Sequence, residues 1–190
     1  MKKIVLFSLV VFVGATLSAQ TYTVNPEKST VNWLGKRINK QHTGEIGLKN
    51  GSFEIKNDKF VSGKFVIDMD VITDESHDDP KNPGRLIGHL KSDDFFNVEK
   101  YPEAILEITD SEKIKKGEAK VNGKLTIRGI THPISFKVLQ KGAIFTSSLV
   151  FDRSLYDVKF QSGKFFQNLG DKTILDEIAI DVSLLAEKQR

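Results

Sequence analysis

The feature that most constrains the fold of this chain is a two-residue alternation of apolar and polar side chains. In segment 120–128, apolar residues or glycine occupy the odd positions and polar residues the even ones, and the same period recurs at 30–33, 134–138 and 178–184. A strand places successive side chains on opposite faces of its sheet, so this period indicates strands with one buried and one solvated face. Such strands are typical of antiparallel sheets, because parallel strands are buried on both faces.

The alternating segments are separated by residues that favour tight turns. Glycine, asparagine or aspartate, which tolerate turn conformations, occur at four such places, 49–52, 56–59, 116–117 and 141–142. We predict eight or nine strands, near residues 21–36, 43–48, 51–56, 59–70, 103–110, 118–130, 132–140, 143–151 and 174–186. Closure into a barrel protects strand edges most completely. The sequence therefore predicts an all-β antiparallel barrel of about eight strands, with a two-sheet sandwich as the competing architecture.

One stretch, residues 74–101, breaks the alternation. Its first part is rich in aspartate, asparagine and proline, which indicates an exposed loop. Apolar residues at helical spacing follow between 86 and 90, so we predict one short helix near 84–92. A helix of this length is not stable alone. We expect it to pack across the barrel, with the adjacent Phe95 and Phe96 closing one end.

The first nineteen residues have the layout of a secretory signal peptide. Lys2 and Lys3 precede an almost unbroken apolar run at 4–17, and the small residues Ser18 and Ala19 follow. The run has 14 residues, whereas a membrane-spanning helix needs about 20. We therefore expect residues 1–19 to be removed on export and residues 20–190 to form one domain. Cleavage after Ser18 and an uncleaved anchor are the alternatives.

Charge and composition exclude several classes of function. The formal net charge is +3 and falls to +1 without Lys2 and Lys3. Basic residues do not cluster with aromatic ones, so we expect no nucleic-acid partner. The chain contains no cysteine, which excludes thiol catalysis, thiolate metal sites and disulfide frameworks.

The polar residues show no motif for catalysis or metal binding. The four histidines, His42, His77, His89 and His132, have no metal-ligand spacing. His77 lies among acidic residues, but their spacing does not match a calcium loop, and a hydrophilic loop is the simpler interpretation. No serine occupies a nucleophile elbow. We assign no catalytic residue and no metal ligand and expect a protein that is not an enzyme. A hydrolase or metal enzyme using His42, His77 or His89 with nearby acids is one alternative.

Several longer motifs carry a family resemblance. They are GHLKSDDFF at 88–96, YP at 101–102 and GKLTIRGITHP at 123–133, with STVNW at 29–33, HTG at 42–44, FDRS at 151–154 and ILDEI at 174–178. Together they resemble the YceI-like family of polyisoprenoid-binding proteins over residues 21–186. Asp157 stands where the family pattern after FDRS has glycine.

The resemblance implies an extended, lipocalin-like β-barrel that holds a long isoprenoid chain in the bacterial periplasm. The ligand would be a polyprenyl lipid or the tail of a quinone, and no other cofactor is implied. Transient contact with a membrane fits such a role. The oligomeric state stays open, with a homodimer as one form.

The aromatic content fits an apolar interior. Of thirteen phenylalanines, all but Phe7 and Phe12 follow the predicted signal peptide. A barrel of eight strands has room either for interlocking side chains or for one small ligand. A solid core would instead indicate a partner-binding or stress-related structural domain, recognised through the loop at 74–85. We predict that an apolar tunnel is lined by Trp33, Phe65, Ile67, Met69, Phe95, Phe96, Leu106, Ile108, Leu125, Ile127, Phe136, Val138, Phe145, Leu149, Phe151, Ile178 and Ile180.

Overall fold

The computed structural model describes residues 19–76, 82 and 84–189. Eight strands form a closed antiparallel barrel in which neighbours follow chain order and the last strand pairs with the first. They are β1 (Gln20–Arg37), β2 (Gln41–Lys56), β3 (Lys59–Ile72), β4 (Glu103–Ser111), β5 (Glu118–Ile127), β6 (Ile130–Lys141), β7 (Ile144–Asp152) and β8 (Ile174–Lys188). A helix, α1 (Arg85–Lys91), lies between β3 and β4.

The eight-stranded barrel confirms the fold class predicted from the alternation. Helix α1 falls inside the predicted range, and the turn residues at 56–59, 116–117 and 141–142 lie in connections between consecutive strands. No helix in the described part of the chain is long and apolar enough to cross a bilayer. Residues 1–18 of the predicted signal peptide and His77 lie outside the described residues.

The predicted turn at 49–52 is wrong. Asn50 and Gly51 lie within β2, so the two strands predicted on either side of them form one strand of 16 residues. Gly51 pairs with Phe65 of β3, and a Cβ added to Gly51 would lie 2.7 Å from Phe65 Cδ1. The glycine therefore makes room for an interior aromatic ring. The strand pairing shifts between Leu48 and Asn50, as at a β-bulge.

The turn between β5 and β6 lies earlier in the chain than the predicted strands 118–130 and 132–140 place it. Arg128 and Gly129 form the turn with φ of 51° and 73°, the conformation of a two-residue hairpin loop. Arginine seldom adopts positive φ. Here the Arg128 side chain donates hydrogen bonds to the carbonyl oxygens of Asp93, at 2.9 Å, and Phe95. A contact to the segment after α1 thus accompanies a turn that local sequence does not predict.

One end of the barrel interior is filled by aromatic side chains. The ring centroid of Phe53 lies 4.9 Å from that of Phe145 and 5.5 Å from that of Phe60, and Tyr22 stacks on Phe53 at 5.0 Å. The three phenylalanines are buried. They lie towards the β2–β3 and β6–β7 hairpins. We call this part of the barrel, defined by Phe53, Phe60 and Phe145, the closed end.

Gly44→Ala should lower the free energy of unfolding by about 2 kcal/mol or more. A Cβ at Gly44 would lie 2.0 Å from the carbonyl oxygen of Thr73 and 2.8 Å from Trp33 Nε1, which donates to that same oxygen at 3.1 Å. Gly88→Ala in α1 is the matched control, because nothing lies within 4 Å of its added Cβ. It should be neutral or stabilising by up to about 1 kcal/mol. Urea unfolding measures both, and equal stabilities of the two variants would contradict this assignment.

Candidate ligand-binding cavity

The barrel interior contains a cavity of about 540 Å³. All eight strands and α1 contribute side chains to its wall. Cavities that hold small molecules in proteins measure about 300–1,000 Å³. The interior is therefore open over much of its length, and the structure does not have the solid core that a purely structural domain would show.

The burial of inward residues reflects this opening. Leu106 packs against the buried clusters on both sides of it, one built around Phe53 and the other around Met69. It is nevertheless only partly buried, as are Ile67 and Ile180. These side chains face the barrel interior, and the cavity leaves one side of each without a packing partner.

The structure places all seventeen residues of the predicted tunnel on the cavity wall. They are Trp33, Phe65, Ile67, Met69, Phe95, Phe96, Leu106, Ile108, Leu125, Ile127, Phe136, Val138, Phe145, Leu149, Phe151, Ile178 and Ile180. Strand alternation alone brings together all of them except Phe95 and Phe96, because each of the others lies on the inward face of its strand. Their contact with a ligand stays a prediction.

Phe95 and Phe96 lie beside α1 and cover the cavity on that side. The Phe95 ring is buried among Trp33, Leu90 and Phe160, with its centroid 5.7 Å from that of Phe160. The two phenylalanine rings lie 6.2 Å apart. This arrangement makes α1 and the residues that follow it part of the cavity wall.

The four charged wall residues of the described chain and His42 lie at the end of the barrel opposite the closed end. Lys36 and Arg37 end β1, His42 is the second residue of β2, Arg85 begins α1, and Lys172 lies two residues before β8. In an antiparallel barrel, the end of β1, the start of β2 and the start of β8 meet at one rim. We call this rim, with its five polar residues, the mouth.

Sequence reasoning missed the four charged residues of the mouth and part of the apolar wall. The additional apolar wall residues are Val31, Ile46, Leu48, Phe53, Phe60, Ile72, Leu86, Leu90, Ala104, Phe160, Ile174, Val182 and Leu184. The alternation could have found Arg37, because it continues the inward face of Trp33 and Gly35. Phe160 lies in a connection without a period, and no local pattern marks it.

The connection between β7 and β8 borders the mouth and is held by a buried arginine. Arg153 is fully buried and donates hydrogen bonds to the carbonyl oxygens of Leu175, Val158 and Ile174 at 3.1–3.2 Å. Its Nη2 also lies 3.2 Å from Asp176 Oδ1 without hydrogen-bond alignment, so this contact is an ion pair. Burial lowers the pKa of Arg153 while nearby carboxylates raise it, and a guanidinium stays charged in proteins.

Asp152 starts this connection as a second polar anchor. Its carboxylate accepts hydrogen bonds from the backbone and side chain of Ser154 and from Lys164 Nζ. Burial raises the pKa of Asp152, but the hydrogen bonds from Lys164 and Ser154 outweigh it and leave the pKa below its usual range. Its contribution to stability is thus present above about pH 4 and is lost as the pH falls through the lowered value.

The same connection fills a gap in the barrel. β6 and β7 pair only between Lys137–Lys141 and Ile144–Ser148. Beside the unpaired part of β6 lies a 3₁₀ turn, Arg153–Tyr156, whose Leu155 carbonyl oxygen is 3.0 Å from His132 Nε2. Asp157 follows with φ of 62°, a conformation that glycine favours and aspartate tolerates.

A serine, a histidine and an aspartate meet at the mouth in an order that differs from a catalytic triad. Ser76 Oγ lies 2.9 Å from His42 Nδ1 and donates to Asp74 Oδ1. In a Ser-His-Asp triad the histidine stands between the nucleophile and the carboxylate, whereas here the serine stands between the other two. The contacts join the start of the loop after β3 to β2.

The other histidine on the cavity wall packs against aromatic rings. His89 lies edge-on to Phe95 and Phe160, with ring centroids 4.9 Å and 4.5 Å away, and its Nε2 is 3.5 Å from the exposed Asp94. Within residues 19–76, 82 and 84–189, no three histidine or acidic side chains lie close enough together to hold a metal ion.

Comparison with known sequences identifies relatives of this barrel. The family model of the YceI-like domain matches residues 22–186. A UPF0312 protein of Photorhabdus laumondii is 51% identical over 47 residues, which are 24% of this chain and 23% of that protein. A UPF0312 protein of Shewanella baltica is 25% identical over 182 residues, which are 86% of this chain and 91% of that protein. The alignable part is thus about a quarter of the first relative and nearly all of the second.

Solved structures share the same architecture. BcnA of Burkholderia cenocepacia superposes with a TM-score of 0.62 at 23% identity and covers 85% of this chain and 98% of its own. A polyisoprenoid binding domain of Saccharophagus degradans, implicated in plant cell wall breakdown, superposes with a TM-score of 0.63 at 15% identity and covers 88% and 98%. At these identities the likeness shows a common fold.

Arg153→Met should lower the free energy of unfolding by about 3–5 kcal/mol, because it leaves three carbonyl oxygens and the Asp176 carboxylate without their cation. Lys159→Met is the matched control, since Lys159 forms an exposed ion pair with Asp157. Exposed pairs contribute about 1 kcal/mol or less. Urea unfolding distinguishes the two, and similar losses would show that Arg153 does not anchor the connection.

Proposed function

This chain belongs to the YceI-like domain family, and from that premise we propose that it binds and carries a long isoprenoid lipid inside its barrel. The observation that supports the proposal best is the cavity of about 540 Å³, whose wall is almost wholly apolar below the mouth. The lipid would be a polyprenyl chain or the tail of a quinone. The Saccharophagus domain of the same fold, described as polyisoprenoid-binding, points in the same direction.

The physical chemistry of a polyprenyl tail explains the need for such a protein. Each CH₂ group removed from water contributes about 0.8 kcal/mol, so a long tail does not cross an aqueous space unaccompanied. An interior lined by phenylalanine, leucine, isoleucine and valine replaces the lipid bilayer as its solvent. The net affinity will be well below the sum over buried groups, because the tail loses conformational freedom on binding.

We propose that the protein acts in the periplasm as a binding protein without catalytic residues. Export through the signal peptide at 1–19 is part of this proposal. The apolar wall offers few directional contacts to a tail, so it should accept isoprenoids of different kinds. The lipid is a ligand in this scheme and takes part in no reaction.

A carrier must also collect its lipid from a membrane, and exposed apolar residues near the mouth fit this step. Ile38 follows the last residue of β1, and its exposed fraction is 58%, while those of Phe165 and Phe166 are 47% and 48%. The backbone of Ile38 donates to Thr173 beside the start of β8. Phenylalanine and other apolar side chains of membrane-surface segments insert into the boundary between head groups and acyl chains. We propose transient membrane contact through these residues.

The protein purified from the periplasm of a bacterial host should carry an isoprenoid lipid. Native mass spectrometry of the intact protein and mass spectrometry of its solvent extract measure the bound lipid. The expected result is a mass excess that disappears on extraction and matches an isoprenoid in the extract. Protein that emerges without lipid and takes up none on mixing with isoprenoid vesicles would contradict the proposed function.

Leu106→Trp should lower the amount of bound lipid at least about tenfold. Leu106 lies between the two interior clusters, so a larger side chain there would exclude part of the tail. Losing contact with about five ligand atoms at ~0.3 kcal/mol each accounts for that factor. The matched control is Glu107→Trp, because Glu107 is exposed on the outer face of the same strand. Equal lipid content in the two folded variants would show that the cavity is not the binding site.

A further inference from the structure

The cavity ends in a floor of aromatic rings at the closed end. Phe53, Phe60 and Phe145 lie on the cavity wall, and at most 3% of each is exposed. Phe53 is central, with its ring centroid 4.9 Å from that of Phe145, 5.5 Å from that of Phe60 and 6.3 Å from that of Phe65. Rings at such separations are in packing contact, so a hydrocarbon chain has no path between them.

Hydrogen bonds hold this floor from behind. The backbone N–H of Phe60 donates to the hydroxyl oxygen of the buried Ser111 at 2.8 Å. In the connection between β4 and β5, Ile114 packs against the same apolar cluster as the three rings, and its backbone N–H donates to the carbonyl oxygen of Asp58 at 2.6 Å. A ligand therefore cannot push the floor away without breaking these bonds.

The length of β2 gives the depth of the cavity above the floor. His42 at the mouth and Phe53 on the floor lie 11 residues apart in this strand. At about 3.3 Å per residue and a strand tilt of about 40°, the depth is about 28 Å. An extended isoprene unit adds four chain bonds and about 5 Å, so this depth corresponds to five or six units.

The volume of the cavity leaves room for a single chain over that depth. Its 540 Å³ gives a mean cross-section of about 19 Å². A hydrocarbon chain with contacts at about 4.5 Å on all sides occupies about 20 Å². A tail therefore lies in single file and has no room to fold back on itself.

We propose that the floor sets an upper limit on tail length, so that the barrel selects isoprenoids of up to about six units. This inference rests on the proposed function. A tail that fits exchanges an apolar bilayer for an apolar wall. Each further unit projects from the mouth into water, which should lower the amount of bound lipid at least about tenfold. Phe60 is the deepest of the three rings, because it lies beside the turn between β2 and β3, and it stops the tail.

The test measures which tail lengths the protein takes from a mixture. Folded protein after lipid extraction is incubated with vesicles that contain equal amounts of ubiquinones with two to nine isoprene units. These homologues share one head group and differ only in the tail. Mass spectrometry of the solvent extract of the recovered protein quantifies each of them. In the wild type the bound amount should vary little up to five or six units and then fall at least about tenfold for each further unit.

Two substitutions should move this limit in opposite directions. Phe60→Ala removes a ring from the floor and should raise the limit by about one unit. Val138→Phe should lower it by about one unit, because Val138 pairs with Ser147, two residues nearer the mouth than Phe145, and two strand residues span about 5 Å of the barrel axis. Phe95→Ala is the matched control. It removes the same side chain from the wall beside α1 and should lower the total amount of bound lipid without moving the limit.

The outcomes separate the length limit from the proposed function. A wild-type profile without a fall up to nine units overturns the limit and leaves lipid carriage standing. An equal shift in Phe60→Ala and Phe95→Ala also overturns it, because the total volume would then decide. Retention of none of the homologues by the wild type overturns both proposals. Val138→Phe leaves no void and decides the matter if Phe60→Ala does not fold, since an unchanged limit in that variant contradicts the role of the floor.

Discussion

The pairing of β1 with β8 is the interaction on which the rest of the structure depends. It joins the first and last strands of the domain, with Trp33 opposite Ile180 and Val31 opposite Val182. Because this pairing closes the barrel, every strand has a neighbour on both sides, and the 3₁₀ turn lies beside the part of β6 that β7 leaves unpaired. Closure also fixes the interior, since all inward side chains then face one common space. The cavity, the closed end and the mouth are consequences of that single geometric condition.

Side chains fill the closed end of the barrel interior more fully than the rest, and the space left unfilled is the candidate binding cavity. Phe53, Phe60 and Phe145 pack against one another at the closed end, where they form the floor of the cavity. At the other end, the long connection after β7 borders the opening. Arg153 holds that connection from within by its bonds to Val158 and Ile174. A cavity whose wall is held in place by the protein's own contacts suits a ligand that makes few directional contacts.

The period of the sequence predicted the barrel and the inward set because both depend on one local property, the side on which a strand residue points. The period did not predict positions where one residue type fits two different structural settings. Gly51 looks like part of a turn, yet it lies under the ring of Phe65. Arg128 adopts a turn conformation while bonded to Asp93 and Phe95, residues far away in sequence. The lysines and arginines of the mouth escaped prediction for a similar reason, since such a residue at a strand end resembles any solvated residue until closure shows what it borders.

The apolar character of the cavity wall limits how selectively this barrel could recognise the proposed ligand. Contacts with the tail add free energy in proportion to buried area and distinguish one isoprenoid poorly from another. An apolar wall alone would thus make this barrel tolerant of different tails, which is what the proposed carrier of several isoprenoids requires.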